Sequence, residues 1–268
     1  MGGVMQVVQV QQGDGPVILA FPHVGTEVPS EVWGRLNDEG RVLRDTDWHI
    51  HKLYAGLIPG LTTVTATQSR TVIDLNRDPS GESLYPGLTT TGLIPQTTFD
   101  NVPIWDQPPG AADVAHWLEV VHRPYHAALA AEVAKVRARH GVAVLYDCHS
   151  IRSEIPWLFP GTLPELNIGT NDAATCAPVL EQAVAGIAAA SGHSWVLNGR
   201  FKGGWTTRHY GRPETGVHAI QMELSQISHL AQEEPPFALD PARTDHLRQT
   251  LTEILATLAD LAPRLAHS

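Results

Sequence analysis

The stretch VAVLYDCHS, Val142–Ser150, constrains the fold of this chain more than any other. Its first half consists of residues that suit the interior of a β-sheet. It ends in Asp147, Cys148 and His149, and a buried polar side chain is costly unless it finds a partner. Because alternate side chains of a strand share a face, we expect Asp147 and His149 to point one way and Cys148 the other. The stretch therefore predicts a buried strand that carries polar groups to its carboxyl end.

The residues before this strand predict the helix that packs on it. Asp113–His140 has the apolar spacing of an amphipathic helix, which Asp113 can cap and Pro124 should kink or break. Gly141 suits the position just past a helix end. A helix, a glycine, a buried strand and then a polar residue are typical of α/β proteins.

The rest of the chain continues this pattern. The predicted strands are Val4–Gln11, Pro16–Phe21, Leu61–Thr67, Arg70–Leu75, Trp195–Asn198 and Val217–Leu224. The predicted helices are Pro29–Leu36, a segment capped by Asp45 or Asp47 that runs to about Ile58, Asn171–Ser191 capped by Asn171, and a last helix that opens at Asp240-Pro241. Loops are predicted over residues 78–109, 151–169 and 199–211. Without repeats or a clear linker, residues 1–268 are expected to form one α/β domain, with a mixed, mostly parallel sheet flanked by helices.

The overall charge narrows the class of partner. The 268 residues are 43% hydrophobic, which is a globular composition with enough chain for a large core. Lys and Arg number 18 against 28 Asp and Glu, a formal net charge of -10. This balance argues against a nucleic acid or an anionic membrane as partner. A small anionic substrate stays possible, because a local arginine cluster can outweigh the global charge.

Cysteine usage and hydropathy indicate where the protein works. The two cysteines, Cys148 and Cys176, lack the spacing of a disulfide framework and fit a reduced compartment. The first 15 residues lack the basic and apolar regions of a signal peptide. No apolar run approaches the roughly 18 to 20 residues of a membrane helix. We therefore expect a cytoplasmic protein, and the oligomeric state is left open.

Polar side chains occur at the ends of four predicted strands: His23, the pair Asn76-Arg77, His149 and Glu223. In a mostly parallel sheet these ends converge on one edge, where ligands bind. Two histidines and a carboxylate form the ligand set of catalytic zinc sites, which keep a position open for water. A further carboxylate can serve as general base, and arginines can bind carboxylates. Each residue alone has a structural explanation, such as an ion pair, but their joint placement favours a metal-dependent hydrolase.

Six stretches, in chain order, resemble the N-formylglutamate amidohydrolase family: PHVGTEVP, DTDWHIHKLY, SRTVIDLNRD, DCHSIRS, NGRFKGGWTTRHYG and QMELSQ. The resemblance runs from about Pro16 to about Leu230. The family is similar in fold to zinc carboxypeptidases and aspartoacylase. The resemblance implies a zinc-dependent hydrolase that cleaves N-formyl-L-glutamate, a small-molecule substrate of histidine degradation, to L-glutamate and formate.

The same resemblance implies the ligands of one divalent ion. His23 and His149 match the family's zinc ligands. The carboxylate ligand has two candidates, because carboxypeptidase relatives carry a Glu at HxxE spacing, whereas here residue 26 is Thr and the acid is Glu27. Asp47, in the DTDW stretch, is favoured, with Glu27 as the alternative.

The resemblance also implies roles around that ion. Glu223 is the expected general base and acid, and Arg70 is expected to polarise the scissile carbonyl. Asn76 and Arg77 are expected to bind the α-carboxylate of the substrate. The side-chain carboxylate needs a further cation, for which the candidates are Arg200, Lys202, Arg208 and His209.

Other functions stay open from the sequence. Cys148 could act as a thiolate nucleophile, although on a strand it faces away from His149, and no GxSxG turn surrounds Ser150. A hydrolase of another N-acyl amino acid or of a small peptide would carry the same residues. A carboxylate-binding protein would use the arginines alone and would bind no metal.

Overall fold

The fold is described by a computed structural model that covers residues 6–82 and 91–266. The strands are β1 (Val8–Gln11), β2 (Val17–Phe21), β3 (Thr62–Ala66), β4 (Ala143–Ile151), β5 (Leu166–Gly169), β6 (Trp195–Leu197) and β7 (Val217–Ser225). The α-helices are α1 (Ser30–Trp33), α2 (Asp38–Arg41), α3 (Ile50–Tyr54), α4 (Ala111–Trp117), α5 (Arg123–His140), α6 (Pro178–Ala190), α7 (Trp205–Tyr210) and α8 (Pro241–Leu265). A π-helical turn spans Leu118–His122, and 3₁₀ turns span Pro213–Thr215 and Gln226–Ser228.

All seven strands join one mixed sheet in the order β1-β3-β2-β4-β7-β5-β6. The central strands β3, β2, β4 and β7 run parallel to one another. β1 pairs with β3, and β5 with β7, in the antiparallel sense, while β6 runs parallel to β5. The predicted fold class, an α/β protein with a mixed and mostly parallel sheet, is confirmed.

Helices cover both faces of the sheet. On one face, Tyr125 and Leu129 of α5 pack on β2 and β4 in a fully buried cluster. On the other face, Leu180 of α6 and Leu251 of α8 pack on the same strands. Strands that are covered on both sides are apolar along their whole length, which explains why β2 reads as an unbroken VILAF run.

The two faces of β4 differ where the strand ends. Val144, Tyr146 and Cys148 belong to the core under α6 and α8, and Leu145 belongs to the core under α5. The row that contains Leu145 continues as Asp147 and His149, so these polar side chains lie on the α5 face. The predicted split between Asp147 and His149 on one side and Cys148 on the other is confirmed.

The predicted long helix before β4 is interrupted, as expected from Pro124. α4 leads into the π-helical turn, in which the Arg123 N–H donates to the Leu118 carbonyl five residues earlier. α5 then begins with Pro124 in its first turn, where the missing N–H costs little. Gly141 ends α5 in the left-handed conformation, at φ 73°, as predicted.

The predicted strand Arg70–Leu75 is wrong, because these residues form turns outside the sheet. The apolar side chains Val72, Ile73 and Leu75 are buried in the α5 core without a strand partner. β-Branched residues suit any buried, extended backbone, so their composition does not distinguish a strand from a buried turn. The segment still follows the carboxyl end of β3, and it carries Asn76 and Arg77 to the expected edge.

Other boundaries differ for local reasons. The predicted helix before Ile58 is limited to α3, because His49 adopts φ 63° at its start. α6 begins at Pro178 and not at Asn171, since residues 171–173 have positive φ. The predicted loops 151–169 and 199–211 contain β5 and α7. Of the predicted strand Val4–Gln11 and loop 78–109, residues 4–5 and 83–90 lie outside the described residues.

The last helix begins as predicted. Asp240 precedes α8, and its Oδ1 accepts a hydrogen bond from the Arg243 N–H at 3.0 Å. Within residues 6–82 and 91–266, no helix combines the length and apolar character required to cross a bilayer.

Two buried histidines make the stability of the fold depend on pH. Burial lowers the pKa of His229 to about 4 and that of His126 to about 3. In the unfolded chain a histidine binds a proton near pH 6.5, whereas these folded residues do not until the pH falls to those values. Each therefore reduces the free energy of unfolding by about 1.4 kcal/mol per pH unit as the pH falls below about 6.5.

We expect His229→Gln to flatten this acid dependence by about 1.4 kcal/mol per pH unit between about pH 6 and pH 5. Its amide can still donate to the Trp48 carbonyl, which lies 3.2 Å from His229 Nε2. Urea unfolding in the presence of a chelator measures the slope without a contribution from metal loss. The same change at the exposed His246 is the matched control. A wild-type slope in His229→Gln would contradict a neutral, buried His229.

Candidate active site

A cavity of about 180 Å³ lies at the carboxyl ends of the parallel strands, on the α5 face of the sheet. Its lining includes most of the predicted site residues: His23, Arg70, Asn76, Arg77, His149, Arg200 and Glu223. Its further lining residues are Asp78, Gly81, Glu82, Thr91, Gly92, Leu93, Phe99, Ser150, Ile151, Leu158, Phe201, Gly204 and Gln221. Residues far apart in sequence therefore meet at the edge where the strand ends were expected to converge.

His23, Asp47 and His149 form a buried group that could hold a metal ion. Their ligand atoms lie within 4.8 Å of one another. Asp47 Oδ2 is 3.1 Å from His149 Nδ1 and 3.7 Å from His23 Nδ1. Two imidazoles and a carboxylate at this spacing match the three protein ligands of an ion that keeps a position open.

Two further carboxylates face the other nitrogens of these histidines. Asp74 Oδ1 is hydrogen-bonded to His23 Nε2 at 2.8 Å. Asp147 Oδ1 lies 3.1 Å from His149 Nε2. Metal-ligating histidines characteristically place their second nitrogen against a carboxylate, which fixes the orientation of the ring. In both residues this leaves Nδ1 directed toward Asp47.

The charged groups around His23 and its partner Asp74 favour the neutral form of His23. Burial by itself raises the pKa of Asp74, but Arg70, Arg77 and His23 outweigh it and hold this pKa well below its usual value. Burial and the nearby Arg70 lower the pKa of His23. His149 differs, since Asp147 and Asp47 overcome its burial and raise its pKa well above the ordinary value.

Unpartnered polar atoms show that the residues fit a metal ion. His23 Nδ1 and Asp47 Oδ1 are buried without a hydrogen-bond partner among the described residues. Buried polar atoms in proteins are almost always satisfied, so these two point to a missing partner. Both belong to the group of possible ligands, and a divalent cation would satisfy them together.

The backbone around Asp47 is held from two sides. The Asp47 N–H donates to the His23 carbonyl at 3.0 Å. Gln226 Nε2 donates to the Thr46 carbonyl at 3.0 Å, and His229 Nε2 lies 3.2 Å from the Trp48 carbonyl. The alternative acid, Glu27, is exposed and accepts a hydrogen bond from Gln68. The described geometry therefore favours Asp47.

Glu223 lies beside His149, because the parallel β4–β7 register pairs these two residues directly. Gln221 Nε2 donates to Glu223 Oε2 at 3.1 Å. Burial raises the pKa of Glu223 to about 8, with Asp47 and Asp147 adding to the effect against His149 and Arg70. A carboxyl group in such surroundings is suited to gaining and losing a proton near neutral pH.

Arg70 is a buried cation at the wall of the cavity. Its Nη2 donates to Asp74 Oδ2 at 2.6 Å, and its Nη1 lies 3.8 Å from Asp47 Oδ1. Its guanidinium carbon lies 4.9 Å from the centroid of the Phe99 ring. These contacts hold a positive charge close to Asp74 and to Asp47, the carboxylate of the possible metal group.

Asn76 and Arg77 both reach the cavity. Asn76 Nδ2 lies 3.1 Å from His149 Nε2, and Asn76 Oδ1 accepts a hydrogen bond from the Thr206 N–H at 2.8 Å. Arg77 is half-buried, and its Nε and Nη2 donate to the carbonyl and hydroxyl oxygens of Thr91.

The structure distinguishes among the four residues that were candidates for binding the side-chain carboxylate of the substrate. Arg200 lines the cavity, and its Nε donates to the Leu158 carbonyl at 3.2 Å. Arg208 lies on α7, donates to the Gly203 carbonyl, and is not among the described residues that line the cavity. Lys202 is paired with Asp172, and His209 stacks on the Trp205 ring. Of the four, the geometry brings Arg200 to the site.

Asp74 and Asp147 were missed from the sequence as residues of the site. A signal was present, because Asp147 shares a strand face with His149, and Asp74 precedes Asn76 in the DLNR stretch. The structure also argues against Cys148 as a nucleophile. Burial raises the pKa of the Cys148 thiol well above its usual value, and the side chain packs in the opposite core.

Comparison with known proteins decides the family. The family model of N-formylglutamate amidohydrolase matches residues 15–229. The chain belongs to the N-formylglutamate amidohydrolase family. It is 43% identical over 257 residues to an N-formylglutamate deformylase of Pseudomonas aeruginosa, covering 94% of this chain and 96% of that protein. An N-formylglutamate deformylase of Pseudomonas putida is likewise 43% identical, over 94% of this chain and 96% of its own length.

One solved structure of this family superposes on the chain, and a second solved structure shares its fold. A crystal structure of the N-formylglutamate amidohydrolase of Ralstonia eutropha JMP134 superposes with a TM-score of 0.80 at 26% identity, over 97% of this chain and 99% of that one. A protein of Agrobacterium tumefaciens has the same fold, with a TM-score of 0.72 at 17% identity over 94% of each chain. The likeness to N-formylglutamate amidohydrolases thus extends over almost the whole chain.

The identity of the carboxylate ligand is testable. We expect Asp47→Asn to weaken zinc binding by more than the roughly 100-fold that loss of an outer partner costs. Glu27→Gln is the matched control, because it removes the alternative acid from an exposed position. Competition with a chromophoric chelator measures both affinities, and circular dichroism checks the fold. Weakened binding in Glu27→Gln, with wild-type affinity in Asp47→Asn, would assign the ligand to Glu27.

Proposed function

We propose that this protein hydrolyses N-formyl-L-glutamate to L-glutamate and formate. The observation that carries the proposal is the buried His23, Asp47 and His149 group beside Glu223 in an arginine-lined cavity. Its relatives at 43% identity are N-formylglutamate deformylases. Zinc is the proposed ion, because nitrogen and oxygen ligands in this number are typical of catalytic zinc sites. A cytoplasmic role in histidine degradation is part of the same proposal.

The reaction breaks one amide bond and consumes one water. A divalent ion held by His23, Asp47 and His149 would supply Lewis-acid chemistry, which lowers the pKa of water and polarises a carbonyl oxygen. Glu223 takes a proton from the attacking water, whose oxygen forms a bond to the formyl carbon. The carbon–nitrogen bond then breaks, and Glu223 returns the proton to the leaving nitrogen.

Arg70 is proposed to stabilise the negative charge that develops on the formyl oxygen. Its guanidinium is buried and is held by Asp74 at 2.6 Å, so it needs little reorganisation during the reaction. Preorganised donors of this kind are among the larger contributions to catalysis of acyl transfer.

The two carboxylates of the substrate need two further cationic positions. Arg77, together with Asn76, is proposed to bind the α-carboxylate, next to the His149 side of the cavity. Arg200 lines the cavity and is proposed to bind the side-chain carboxylate. Arginine suits both roles, because its planar fork of donors matches a carboxylate.

Removing the proposed base should abolish turnover without loss of metal. We expect Glu223→Gln to lower kcat for N-formyl-L-glutamate by about 10²- to 10⁴-fold, because the amide cannot accept the proton. Formate release is measured with a coupled formate dehydrogenase assay, and zinc content by elemental analysis. Near wild-type kcat in Glu223→Gln would remove this residue from the reaction. No formate release by the zinc-loaded wild-type protein would contradict the proposed substrate.

The choice between Arg200 and Arg208 is also testable. We expect Arg200→Gln to raise KM for N-formyl-L-glutamate about 10- to 100-fold, because a charge-assisted contact is lost. KM for N-formyl-L-glutamine, which lacks the side-chain charge, should change much less. Arg208→Gln is the matched control and should leave both constants close to wild type. The charge-selective effect in Arg208→Gln, and not in Arg200→Gln, would assign this role to Arg208.

A further inference from the structure

The segment from Ile73 to Arg77 needs hydrogen-bond partners for its backbone. It lies outside the sheet, and yet it carries Asn76 and Arg77 to the cavity and Asp74 to His23. Backbone carbonyls outside a sheet or helix still need hydrogen-bond partners where they are buried. Without a neighbouring strand, those partners come from side chains or from the backbone of other loops.

Two histidines, His122 at the end of the π-helical turn and His126 in α5, supply side-chain partners. His126 Nε2 lies 2.8 Å from the Leu75 carbonyl oxygen, and His122 Nε2 lies 3.2 Å from the Arg77 carbonyl oxygen. Each contact joins an imidazole N–H to a backbone acceptor, and the two acceptors flank Asn76 on either side. Both histidine side chains are buried.

The π-helical turn accounts for the placement of this pair. His122 is the last residue of that turn, and His126 follows four residues later in α5, so the two rings share a helix face. The neighbouring residues Val121 and Tyr125 are fully buried in the core. The helix can therefore pack its apolar side chains and still direct two imidazoles at one short segment. Turns of this type are frequent at functional sites.

α7 closes the other side of Asn76. The Thr206 N–H donates to Asn76 Oδ1, and the Trp205 ring centroid is 4.7 Å from that of His126 and 5.6 Å from that of His122. A Cβ at Gly204 would lie 2.2 Å from Asn76 Nδ2, so only glycine allows this approach. The segment is thus held between the histidine pair and the start of α7.

We propose that His122 and His126 are positioning residues for recognition of the substrate α-carboxylate, acting through the backbone that they fix on either side of Asn76. This rests on the proposed function, in which Asn76 and Arg77 bind that carboxylate. The histidines do not line the cavity among the described residues, so their effect is transmitted by the carbonyls of Leu75 and Arg77.

The test removes and then restores the donor at each position. His122→Leu and His126→Leu delete the Nε2 donor, while His122→Gln and His126→Gln carry an amide nitrogen in an equivalent place. Each variant is assayed with N-formyl-L-glutamate and with 4-formamidobutanoate, which keeps the formyl amide and the distal carboxylate but lacks the α-carboxylate. If the second compound turns over too slowly, its inhibition constant replaces its KM.

We expect His122→Leu to raise KM for N-formyl-L-glutamate about tenfold, as loss of one hydrogen bond would, with kcat changed less than about threefold. Its constants for 4-formamidobutanoate should stay within about twofold of wild type, and His122→Gln should restore most of the KM. His126→Leu and His126→Gln should behave in the same way, and they carry the test if His122→Leu does not fold. Melting temperature and zinc content are measured for every variant.

Two results would overturn the positioning role. Equal effects on both substrates would show that the histidines support the site in general and not the α-carboxylate position. Glutamine variants as impaired as the leucine variants would show that the Nε2 donors are not what matters. Failure of the proposed function is distinguishable, because the wild-type protein itself would then release no formate from N-formyl-L-glutamate.

Discussion

The site depends on two contacts between buried carboxylates and histidines. Asp74 holds His23 Nε2 at 2.8 Å, and Asp147 lies 3.1 Å from His149 Nε2. Because one nitrogen of each ring faces a carboxylate, the other is directed at Asp47, and three ligand-type groups converge in a buried place. Concentrating carboxylates there is costly unless positive charge balances them. Arg70 supplies part of that charge, and a cation bound beside the unpartnered Asp47 Oδ1 and His23 Nδ1 could supply the rest.

The sheet determines how the proposed base meets the possible metal site. The β4–β7 register places Glu223 beside His149, and the odd-numbered row of β4 changes from apolar residues to Asp147 and His149 where the core ends. The irregular backbone that follows β3 then brings Asn76 and Arg77, which are proposed to bind the substrate, to the same edge of the sheet. That backbone has no strand to pair with, so side chains of α5 and the start of α7 hold it. Strand ends thus carry His149 and the proposed base, and turns held by side chains carry the residues proposed to bind the α-carboxylate.

The sequence predicted the groups at ends of regular elements better than it predicted loop positions. His149 and Glu223 were placed correctly because strand periodicity is local and the carboxyl ends of parallel strands meet at one edge of the sheet. Arg70–Leu75 was mistaken for a strand, since burial of β-branched residues looks the same in a turn that is held by side chains. α7 was missed because six residues in a glycine-rich stretch show no helical period. Arg208 was one of four candidates in a stretch that resembles the family, but on the short α7 its Nε donates to the Gly203 carbonyl.

The central claim is that one divalent ion binds between the Nδ1 atoms of His23 and His149 and the carboxylate of Asp47. The most direct measurement is an anomalous difference map, collected at the zinc edge from crystals of the zinc-loaded protein. A single strong peak within coordination distance of these three side chains, with Asp74 and Asp147 still on the Nε2 atoms, is the expected result. A peak at Glu27, or ligation through the Nε2 atoms with Asp74 and Asp147 displaced, would contradict the account.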